Sequence, residues 1–422
     1  MAHAAPAPKP LMPLDDALGS LRQALLDHPV AGTERVDSFE ALGRVLAQDV
    51  VSGVDVPPLD NSAMDGYALR CADAPADGVS LSQSQRIAAG QVGGQLAPGT
   101  CARIFTGAPV PQGADAVVMQ EQCEVSADQV RFLTAPQPGQ NIRRRGEDIA
   151  RGATVLSHGL RLSPAALGVA ASVGAAQIQV FKRPRVAVLT TGNELVMPGQ
   201  ALPEGAIYNS NRHMLRGLIQ ATGAASSDLG IIPDDLATTR VMLRQAAQDH
   251  DLILSSGGVS VGEEDHLKAA VQAEGELNFW QLAIKPGKPF VFGRVRRADG
   301  SHALYMGLPG NPSASFVTFL LLARPVLGVL AGEPWCWPAA TLLRADFDWP
   351  RADKRREFVR VRRNAAGGVS LYPHQGSGVL TSAVWADGLV DLAPGQTVLR
   401  GDVVPFVSLA DWLQPPATQC QA

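Results

Sequence analysis

The feature that most constrains the fold is a regular alternation of apolar runs and helical patterns between residues 184 and 331. The apolar runs have the length of buried strands and cover residues 185–192, 226–234, 251–258, 282–293 and 302–310. Apolar positions recur at helical spacing over residues 211–224, 235–249, 264–275 and 312–330. This alternation predicts a doubly wound α/β domain with a mainly parallel sheet.

The regions on either side have different patterns. Leucines at helical spacing predict an amphipathic helix over residues 13–27, and a second helix is predicted over about 37–48. Between residues 50 and 150, short Val- and Ile-rich runs broken by Gly, Pro and Asp predict a β-rich domain. After a Pro- and Trp-rich linker at 331–338, short strands and turns predict an all-β C-terminal domain.

Composition narrows the class of protein. The chain has 422 residues and a formal net charge of −4, whereas a nucleic-acid-binding protein normally carries a basic excess. Its five cysteines lie far apart, so neither a disulfide framework nor a structural zinc site is predicted. The N-terminus lacks the apolar segment of a signal peptide, and the most apolar stretch, 316–323, is too short to span a bilayer. We therefore expect a cytoplasmic protein that binds neither nucleic acid nor membrane.

Three predicted strand ends carry Gly-rich or polar turns, and ligands bind open α/β sheets at that edge. The segment TTGNEL (190–195) places Glu194 after one strand, SSGGVSVGEED (255–265) places Asp265 after another, and MGLPGNP (306–312) precedes the last helix. Glycines let backbone N–H groups approach an anion, and a helix N-terminus favours negative charge. Any single turn could merely connect a strand to a helix, but three at one edge favour a phosphate or oxyanion site.

The segment IKPGKP (284–289) places Lys285 and Lys288 on a loop constrained by Pro and Gly. A lysine pair is more often solvated, but a fixed loop can direct both ammonium groups at one phosphate or oxyanion. The chain has no Walker A loop, no G-x-G-x-x-G after the first strand and no G-x-S-x-G. Nucleotide hydrolases, dinucleotide enzymes and serine hydrolases therefore lose support.

Acidic residues are scattered through the turns. The candidates for chemistry are Asp60, Asp65, Asp148, Glu194, Asp234, Asp235 and Asp265. Aspartates in turns mostly cap helices or order loops. Carboxylates that gather around a phosphate instead hold Mg²⁺, which prefers oxygen ligands. The residues alone leave both interpretations open.

Eight segments follow one another between residues 57 and 312 in this order: PPLDNSAMDGYA, IFTGAPVPQGADAVVMQE, GQNIRRRGEDI, VLTTGNELV, IYNSN, SSGGVSVGEED, AIKPGKPFVFG and LPGNP. In kind and order they resemble the motifs of the molybdopterin molybdenumtransferases, the family that includes the C-terminal domain of gephyrin. The resemblance that they carry extends over about residues 11–412. Several of these segments are rare sequences, so chance does not account for the presence of all eight in this order.

The resemblance implies a multidomain α/β subunit. An extended N-terminal α/β region would combine residues 11–52 with 152–183 around an inserted β-rich domain at 53–151. The doubly wound, nucleotide-binding-like α/β domain would follow at 184–332, and a β-barrel-like C-terminal domain at 333–414.

The activity that the resemblance implies is hydrolysis of adenylylated molybdopterin with insertion of molybdenum from molybdate into the dithiolene. The products would be molybdenum cofactor and AMP, with Mg²⁺ as the cofactor and molybdate as a substrate. The resemblance also implies a homodimer whose site is shared between subunits, and contact with the molybdopterin adenylyltransferase.

Carried over motif by motif, the resemblance also implies roles for single residues. Catalytic roles fall on Asp60, Thr106, Asp148, Glu194, Asp234, Asp265, Lys285 and Lys288. Substrate-binding roles fall on Gly192, Ser256, Gly257, Gly258, Ser260, Pro289, Pro309, Gly310, Asn311, Arg356 and Ser377. The implied metal ligands are Glu194, Asp235 and Asp265, with Asp234 as the alternative to Asp235. The three residues of the inserted domain, Asp60, Thr106 and Asp148, would reach the cleft from the partner subunit.

Two positions depart from the family pattern. Ala314 stands where the family commonly has Ser, with hydroxyls beside it at Ser313 and Ser315, and Asn209 stands where Asp is frequent.

Two other functions remain as alternatives. A molybdopterin adenylyltransferase shares the SGGVS-type loop but is shorter and lacks the DNSAMDGYA and GED segments. A dimeric scaffold without activity would not need the lysine pair and the acidic turns together.

Overall fold

The computed structural model describes residues 10–26, 28, 32–233, 235–258 and 266–415. The sheet of the α/β domain has six strands in the order Ala225–Ile232, Arg185–Thr191, Leu252–Ser256, His302–Leu308, Pro289–Arg296 and Gly275–Gln281. The first four strands are parallel, and the last two pair antiparallel. Its helices are Ser210–Ala221, Leu236–Asp249, His266–Glu274 and Pro312–Leu330. The α/β fold predicted from the alternation is confirmed.

The segment predicted as one strand over 282–293 is divided. Only Pro289–Arg296 joins the sheet, whereas Ile284–Lys285 pairs with a strand of the C-terminal domain. Pro286 and Pro289 lack the backbone N–H that a continuous ladder needs, which explains the interruption. The edge strand Gly275–Gln281 was not predicted.

The apolar helix Pro312–Leu330 contains a π-helical turn at Phe319–Ala323. Its 19 residues and mean hydropathy of 1.8 would suffice to cross a membrane by length and composition, but 89% of its apolar window is buried. It shares one apolar core with the N-terminal helix Leu14–Leu26 and the strands of the sheet. The sequence is apolar here because the helix lies inside the protein.

Segments from both sides of the inserted domain build the N-terminal region. The strand Thr33–Asp37 pairs antiparallel with Gln177–Phe181, and Val50–Val51 pairs with Thr154–Leu156. The helix Pro164–Ser172 completes their common core.

The helix predicted over 37–48 is wrong. The chain forms a single 3₁₀ turn, Ser38–Glu40, capped by Asp37. It then turns at Gly43, whose φ of 71° a helix cannot contain. Leu46 is buried, but it sits in an extended segment and forms a bridge with Val180. Apolar spacing therefore gave the local structure incorrectly and gave burial only in part, because Phe39 and Leu42 are 87% and 54% exposed.

The inserted domain is β-rich, as the sequence predicts. Its sheet has the strand order Ala116–Met119, Gly66–Leu69, Thr100–Ile104, Ser80–Ile87, Gln129–Phe132 and Cys123–Ser126. A separate pair joins Asn61–Ser62 to Ile142–Arg143, and 3₁₀ turns lie at Cys71–Asp73 and Gln120–Gln122.

The C-terminal domain is a closed five-stranded barrel. Its strands, in the order of pairing, are Arg356–Arg363, Gly368–Leu371, Thr341–Ala345, Val403–Ser408 and Gly388–Leu392, and the last pairs again with the first. Two short helices, Thr381–Trp385 and Leu409–Leu413, accompany the barrel. In the linker before it, Cys336 is disulfide-bonded, whereas Cys71, Cys101 and Cys123 are free.

A buried ion-pair group joins the N-terminal region to the linker before the barrel. Arg161 Nε lies 2.6 Å from Glu333 Oε1, and Arg324 Nη2 lies 3.4 Å from Glu333 Oε2. The side chains of Arg161, Arg324 and Glu333 are 15%, 3% and 10% exposed. Water can therefore solvate these groups only poorly if one charged partner is removed. Burial lowers the pKa of Arg324 to about 10, and the charge of Glu333 opposes that shift.

We expect Glu333→Gln to destabilise the protein by about 3 kcal/mol, because it leaves two buried guanidinium groups without a carboxylate. Urea unfolding followed by tryptophan fluorescence measures the shift of the midpoint. The matched control is Glu124→Gln, which breaks the exposed pair between Glu124 and Arg131 and should change stability by less than about 1 kcal/mol. Equal shifts for the two variants would contradict this account.

Candidate functional site

A cavity of 760 Å³ lies beyond the carboxyl ends of the parallel strands. One wall comes from the turns after three of those strands and includes Thr191, Glu194, Ser256, Gly257, Gly258, Pro309, Gly310 and Asn311. The opposite wall comes from the lysine loop at 285–289 and from Arg355, Gln375, Gly376 and Ser377 of the barrel domain. The cavity is thus formed between the α/β domain and the barrel.

Two glycines after the strand Leu252–Ser256 are required by geometry. Gly257 and Gly258 have φ values of 86° and 64°, a region that other residues adopt rarely. A Cβ on Gly257 would also lie 2.9 Å from the Thr191 carbonyl oxygen, and one on Gly258 would lie 2.9 Å from Leu267 Cδ2. This turn can therefore approach its neighbours closely and present backbone to the cavity.

Gly192 leaves room for the carboxylate of Glu194. A Cβ on Gly192 would lie 2.6 Å from Glu194 Oε2, and the φ of Gly192 is 145°. Leu195–Val196 then pairs with Ile207–Tyr208, so a small parallel ladder fixes the loop that carries Glu194. Among the described residues that line the cavity, Glu194 is the one carboxylate.

Two buried asparagines tie the strand ends together. Asn209 Nδ2 donates to Thr190 Oγ1 at 2.8 Å, and its side chain caps the helix Ser210–Ala221. Asn211 Nδ2 donates to Ser256 Oγ and to the Gly310 carbonyl oxygen, both at 2.7 Å. Asn211 thereby connects the turns after two strands and holds the cavity floor in shape.

The two lysines of the loop have different surroundings. Lys285 Nζ lies 2.8 Å from Glu357 Oε1 and 3.3 Å from Asp353 Oδ2. Burial disfavours the charge of Lys285, but its hydrogen bonds and the charges of Glu357 and Asp353 raise its pKa overall. Lys288 is exposed and lines the cavity, and no described carboxylate lies within ion-pair distance of it. Lys288 is the cation left available to a ligand.

Arg355 also faces the cavity. Its Nε and Nη2 donate to Asp353 at 3.1 and 2.9 Å, which leaves Nη1 without a partner in the described part of the chain. The hydrogen bonds from Arg355, together with that from Lys285, hold the pKa of Asp353 far below its ordinary value. Asp353 therefore stays ionised and orients both cations from behind.

The barrel loop at 374–378 packs on the start of the helix Pro312–Leu330. Ala314 N donates to the Ser377 carbonyl oxygen at 3.2 Å, and Ser313 Oγ donates to the Val379 carbonyl oxygen at 2.7 Å. Ser313 and Ser315 are fully buried, whereas Ala314 lines the cavity. The hydroxyls beside Ala314 therefore do not replace a serine at that wall.

Most of the residues implicated by sequence meet at this cavity. They are Glu194, Ser256, Gly257, Gly258, Lys285, Lys288, Pro289, Pro309, Gly310, Asn311 and Ser377. Gly192 is in the turn beside them without lining the cavity. The candidates Asp234, Ser260 and Asp265 lie outside the described residues.

Other candidates lie elsewhere. The side chain of Arg356 binds Asp391 and Asp15 and does not line the cavity; its neighbour Arg355 does. The side chain of Asp235 accepts a hydrogen bond from Thr238 N and caps the helix Leu236–Asp249.

The three candidates of the inserted domain do not line the cavity of their own chain. Asp60 accepts hydrogen bonds from Arg144 Nη1 at 2.7 Å and from Arg145 N at 2.8 Å. Thr106 donates through its hydroxyl to Asp65 Oδ1 at 2.8 Å. Asp148 lies in the turn that follows these arginines.

Sequence reasoning missed several lining residues, namely Thr190, Tyr208, Asn211, Arg355 and Gln375. Thr190 and Asn211 stand within the motifs TTGNEL and IYNSN, so their place in those motifs was a usable signal. Choosing between Arg355 and Arg356 required the register of the strand Arg356–Arg363, which a run of basic residues does not show.

The described residues contain no group of three or more His, Cys, Asp or Glu that could hold a metal ion. The donor set is one carboxylate, Glu194, beside a turn of backbone amides. Mg²⁺ is often bound by one or two carboxylates together with substrate phosphates and water. The described residues of the site are therefore compatible with Mg²⁺ that is held jointly with a phosphate group.

This fold and site define a class of protein: a multidomain α/β protein with a cavity, lined by glycine turns and a lysine loop, between the α/β domain and a β-barrel. Residues 12–174 match the family model of the MoeA N-terminal region (domain I and II), residues 187–328 that of a probable molybdopterin binding domain, and residues 343–409 that of the MoeA C-terminal region (domain IV). The chain belongs to the MoeA family of molybdopterin molybdenumtransferases, which acts in molybdenum cofactor biosynthesis.

Relatives and solved structures agree with this family. The chain is 41% identical over 331 residues to the molybdopterin molybdenumtransferase of Haemophilus influenzae, which covers 78% of this chain and 80% of that protein. It is 38% identical over 367 residues to molybdopterin molybdenumtransferase 2 of Mycobacterium tuberculosis, covering 84% and 89%. A crystal structure of the molybdopterin biosynthesis MoeA protein from Pyrococcus horikoshii OT3 superposes with a TM-score of 0.80 at 28% identity, covering 94% and 100%.

The contrast between the two lysines gives a test. We expect Lys285→Met to destabilise the protein by about 3 kcal/mol, because it leaves the buried Glu357 carboxylate without its ammonium partner. The matched control Lys288→Met should change stability by less than about 0.5 kcal/mol, as is usual for exposed positions. Urea midpoints measure both.

A second substitution, Glu357→Gln, should restore most of the stability lost in Lys285→Met, since it removes the unpaired charge. If Lys285→Met and Lys288→Met unfold at the same midpoint, the structural role of Lys285 is wrong.

Proposed function

We propose that the cavity binds adenylylated molybdopterin and molybdate and catalyses release of AMP with insertion of molybdenum into the dithiolene. The observation that carries this proposal is that a glycine-rich turn and cations free to bind a ligand line the same cavity. The glycine turn includes Gly257 and Gly258, and the cations are Lys288 and Arg355. A volume of 760 Å³ is within the usual range for sites of small-molecule ligands.

The phosphate-binding half belongs to the α/β domain. Backbone N–H groups of the turns at 257–258 and 310–311 would bind phosphate oxygens, aided by the N-terminus of the helix Pro312–Leu330. Ser256, Pro309 and the asparagine-held floor would fix the ligand against these turns.

The oxyanion half belongs to the lysine loop and the barrel. Lys288 has no carboxylate partner among the described residues, and Arg355 Nη1 is left free by the fork that holds Asp353. Together with Ser377 they would bind the molybdate dianion and stabilise the charge that develops during its transfer. Lys285 and Pro289 would hold this loop in place and add charge at the wall.

Mg²⁺ would be held by Glu194 together with phosphate oxygens of the substrate. When bound it would neutralise phosphate charge and orient the adenylate for attack. In this chain Asp235 has a capping role, which argues against it as a ligand. The remaining implied acidic ligands, Asp265 and the alternative Asp234, lie outside the described residues.

The direct test is AMP release from adenylylated molybdopterin by the purified protein. We expect release that requires both Mg²⁺ and molybdate, with a molybdate half-saturation raised about tenfold or more in Lys288→Met, because a charge-assisted contact is lost. Chromatographic quantification of AMP at varied molybdate gives both quantities. The absence of AMP when all three components are present would sink the assignment. Formation of the adenylate from ATP would instead favour the adenylyltransferase alternative.

We infer a homodimer whose site is completed by the partner copy. Asp60, Thr106 and Asp148 are implicated by the family motifs, yet they do not line the cavity of their own chain. The arginines beside Asp60 lower its pKa, first through the backbone hydrogen bond from Arg145, so this carboxylate is ionised and oriented. A second copy would bring this acidic surface to the open side of the cavity.

Mixing two impaired variants tests the shared site, with molybdate held well below the half-saturation value of Lys288→Met so that this variant alone releases little AMP. Lys288→Met and Asp60→Asn act on opposite sides of one site, so only mixed dimers contain an intact one. A 1:1 mixture after subunit exchange should recover about a quarter of wild-type AMP release, because half of the dimers are mixed and each has one intact site. If the mixture stays as inactive as its components, the site is built within one subunit.

Delivery of the substrate and the place of action stay predictions. The adenylate contains a phosphoanhydride bond that water can cleave, so direct transfer from the molybdopterin adenylyltransferase would protect it. We infer contact with that enzyme and action in the cytoplasm. The net charge of −4 continues to argue against nucleic acid as a partner.

A further inference from the structure

Arg360 is a buried cation directly behind the cavity. It lies on the barrel strand Arg356–Arg363 and is 1% exposed. Its guanidinium donates to Ser382 Oγ at 3.1 Å, to the Gly376 carbonyl oxygen at 3.2 Å and to the Phe358 carbonyl oxygen at 3.4 Å. No described carboxylate pairs with it, and burial lowers its pKa to about 10, which leaves it charged at neutral pH.

The backbone of the same residue holds the same loop. Arg360 N donates to Gln375 Oε1 at 2.9 Å, and Gln375 Nε2 donates back to the Arg360 carbonyl oxygen at 2.9 Å. Gln375 Nε2 also donates to the Tyr372 carbonyl oxygen at 3.0 Å. Main chain and side chain of Arg360 therefore fasten two consecutive residues, Gln375 and Gly376, of the cavity wall.

The bond to Gly376 determines where the next N–H points. The Gly376 carbonyl and the Ser377 N–H belong to one planar peptide unit, in which they point in opposite directions. The Gly376 carbonyl is directed at the Arg360 guanidinium, which lies on the outer face of the barrel strand, because Val359 and Val361 on either side of it belong to the barrel core. The Ser377 N–H therefore points away from that guanidinium, and Gly376 and Ser377 both line the cavity. No acceptor among the described residues takes the Ser377 N–H.

We propose that Arg360 is a positioning residue that fixes the Gly376–Ser377 peptide so that the Ser377 N–H binds the oxyanion substrate. Its charge, which no carboxylate of the described residues balances, adds positive potential under the same wall. A buried arginine without a counter-ion is costly for stability. It is useful where a fixed dipole and a fixed charge act on a bound anion. The inference rests on the proposed function, because molybdate is the oxyanion in question.

The test uses Arg360→Lys and Arg360→Gln in the full-length protein, with molybdate as the probe. We expect the molybdate half-saturation of AMP release to rise about tenfold, the loss of roughly one charge-assisted hydrogen bond. The KM for adenylylated molybdopterin should change less than about twofold, because the glycine turns are untouched. The matched control is Arg324→Lys, another buried arginine that bonds a carbonyl, that of Leu413. It should lower the unfolding midpoint and leave the molybdate half-saturation unchanged.

The outcomes separate the two proposals. If wild-type AMP release responds to molybdate and folded Arg360 variants respond equally, Arg360 has no role in oxyanion binding. The same conclusion follows if the variants lose affinity for both substrates in parallel with stability. If AMP release by the wild-type protein does not depend on molybdate, both the proposed function and this inference fail. Should both variants fail to fold, Gln375→Met loosens the same loop from outside the core, and an unchanged molybdate half-saturation there would overturn the inference.

Discussion

The cavity depends on the attachment of the lysine loop to the barrel. Ile284–Lys285 leaves the α/β sheet and pairs in parallel with the start of the barrel strand Arg356–Arg363. The ion pair between Lys285 and the buried Glu357 fixes this junction, and Trp349 Nε1 donates to the other Glu357 oxygen at 2.9 Å. Without this attachment the strand ends would face solvent, because the wall opposite them comes from these two elements.

The same attachment gives the three cations of this wall different surroundings. Asp353 and Glu357 neutralise Lys285 and orient Arg355 from outside the cavity, while Lys288 is left without a carboxylate partner among the described residues. A lysine that is paired with carboxylates keeps its charge and a fixed position, whereas an unpaired lysine has its charge available for a bound anionic ligand. The molecule thus combines a rigid lysine and an available lysine three residues apart on one loop.

Sequence reasoning succeeded where a local pattern carries the information. The alternation of strands and helices predicted the α/β domain. The glycine-rich turns predicted most of one cavity wall, because a turn such as that at Gly257 and Gly258 requires glycine and is therefore visible in the sequence. It failed at 37–48, where Val45 and Leu46 are buried in an extended segment, whereas Phe39 and Leu42 are exposed. It named Arg356, whereas the cavity is lined by the neighbouring Arg355, and this difference depends on strand pairing between two domains.

The departure at Asn209 makes physical sense in this cavity. Its Nδ2 donates to Thr190 Oγ1, a bond that an aspartate could not donate, while its Oδ1 keeps the capping bond to Arg212 N. Asparagine is 1% exposed here, where an ionised carboxylate would require a cation or a metal close by. A neutral side chain at this position leaves Glu194 as the one carboxylate among the described lining residues. Among the described lining residues, negative charge is therefore concentrated at the turn beside Gly192, where the absence of a Cβ makes room for the Glu194 carboxylate.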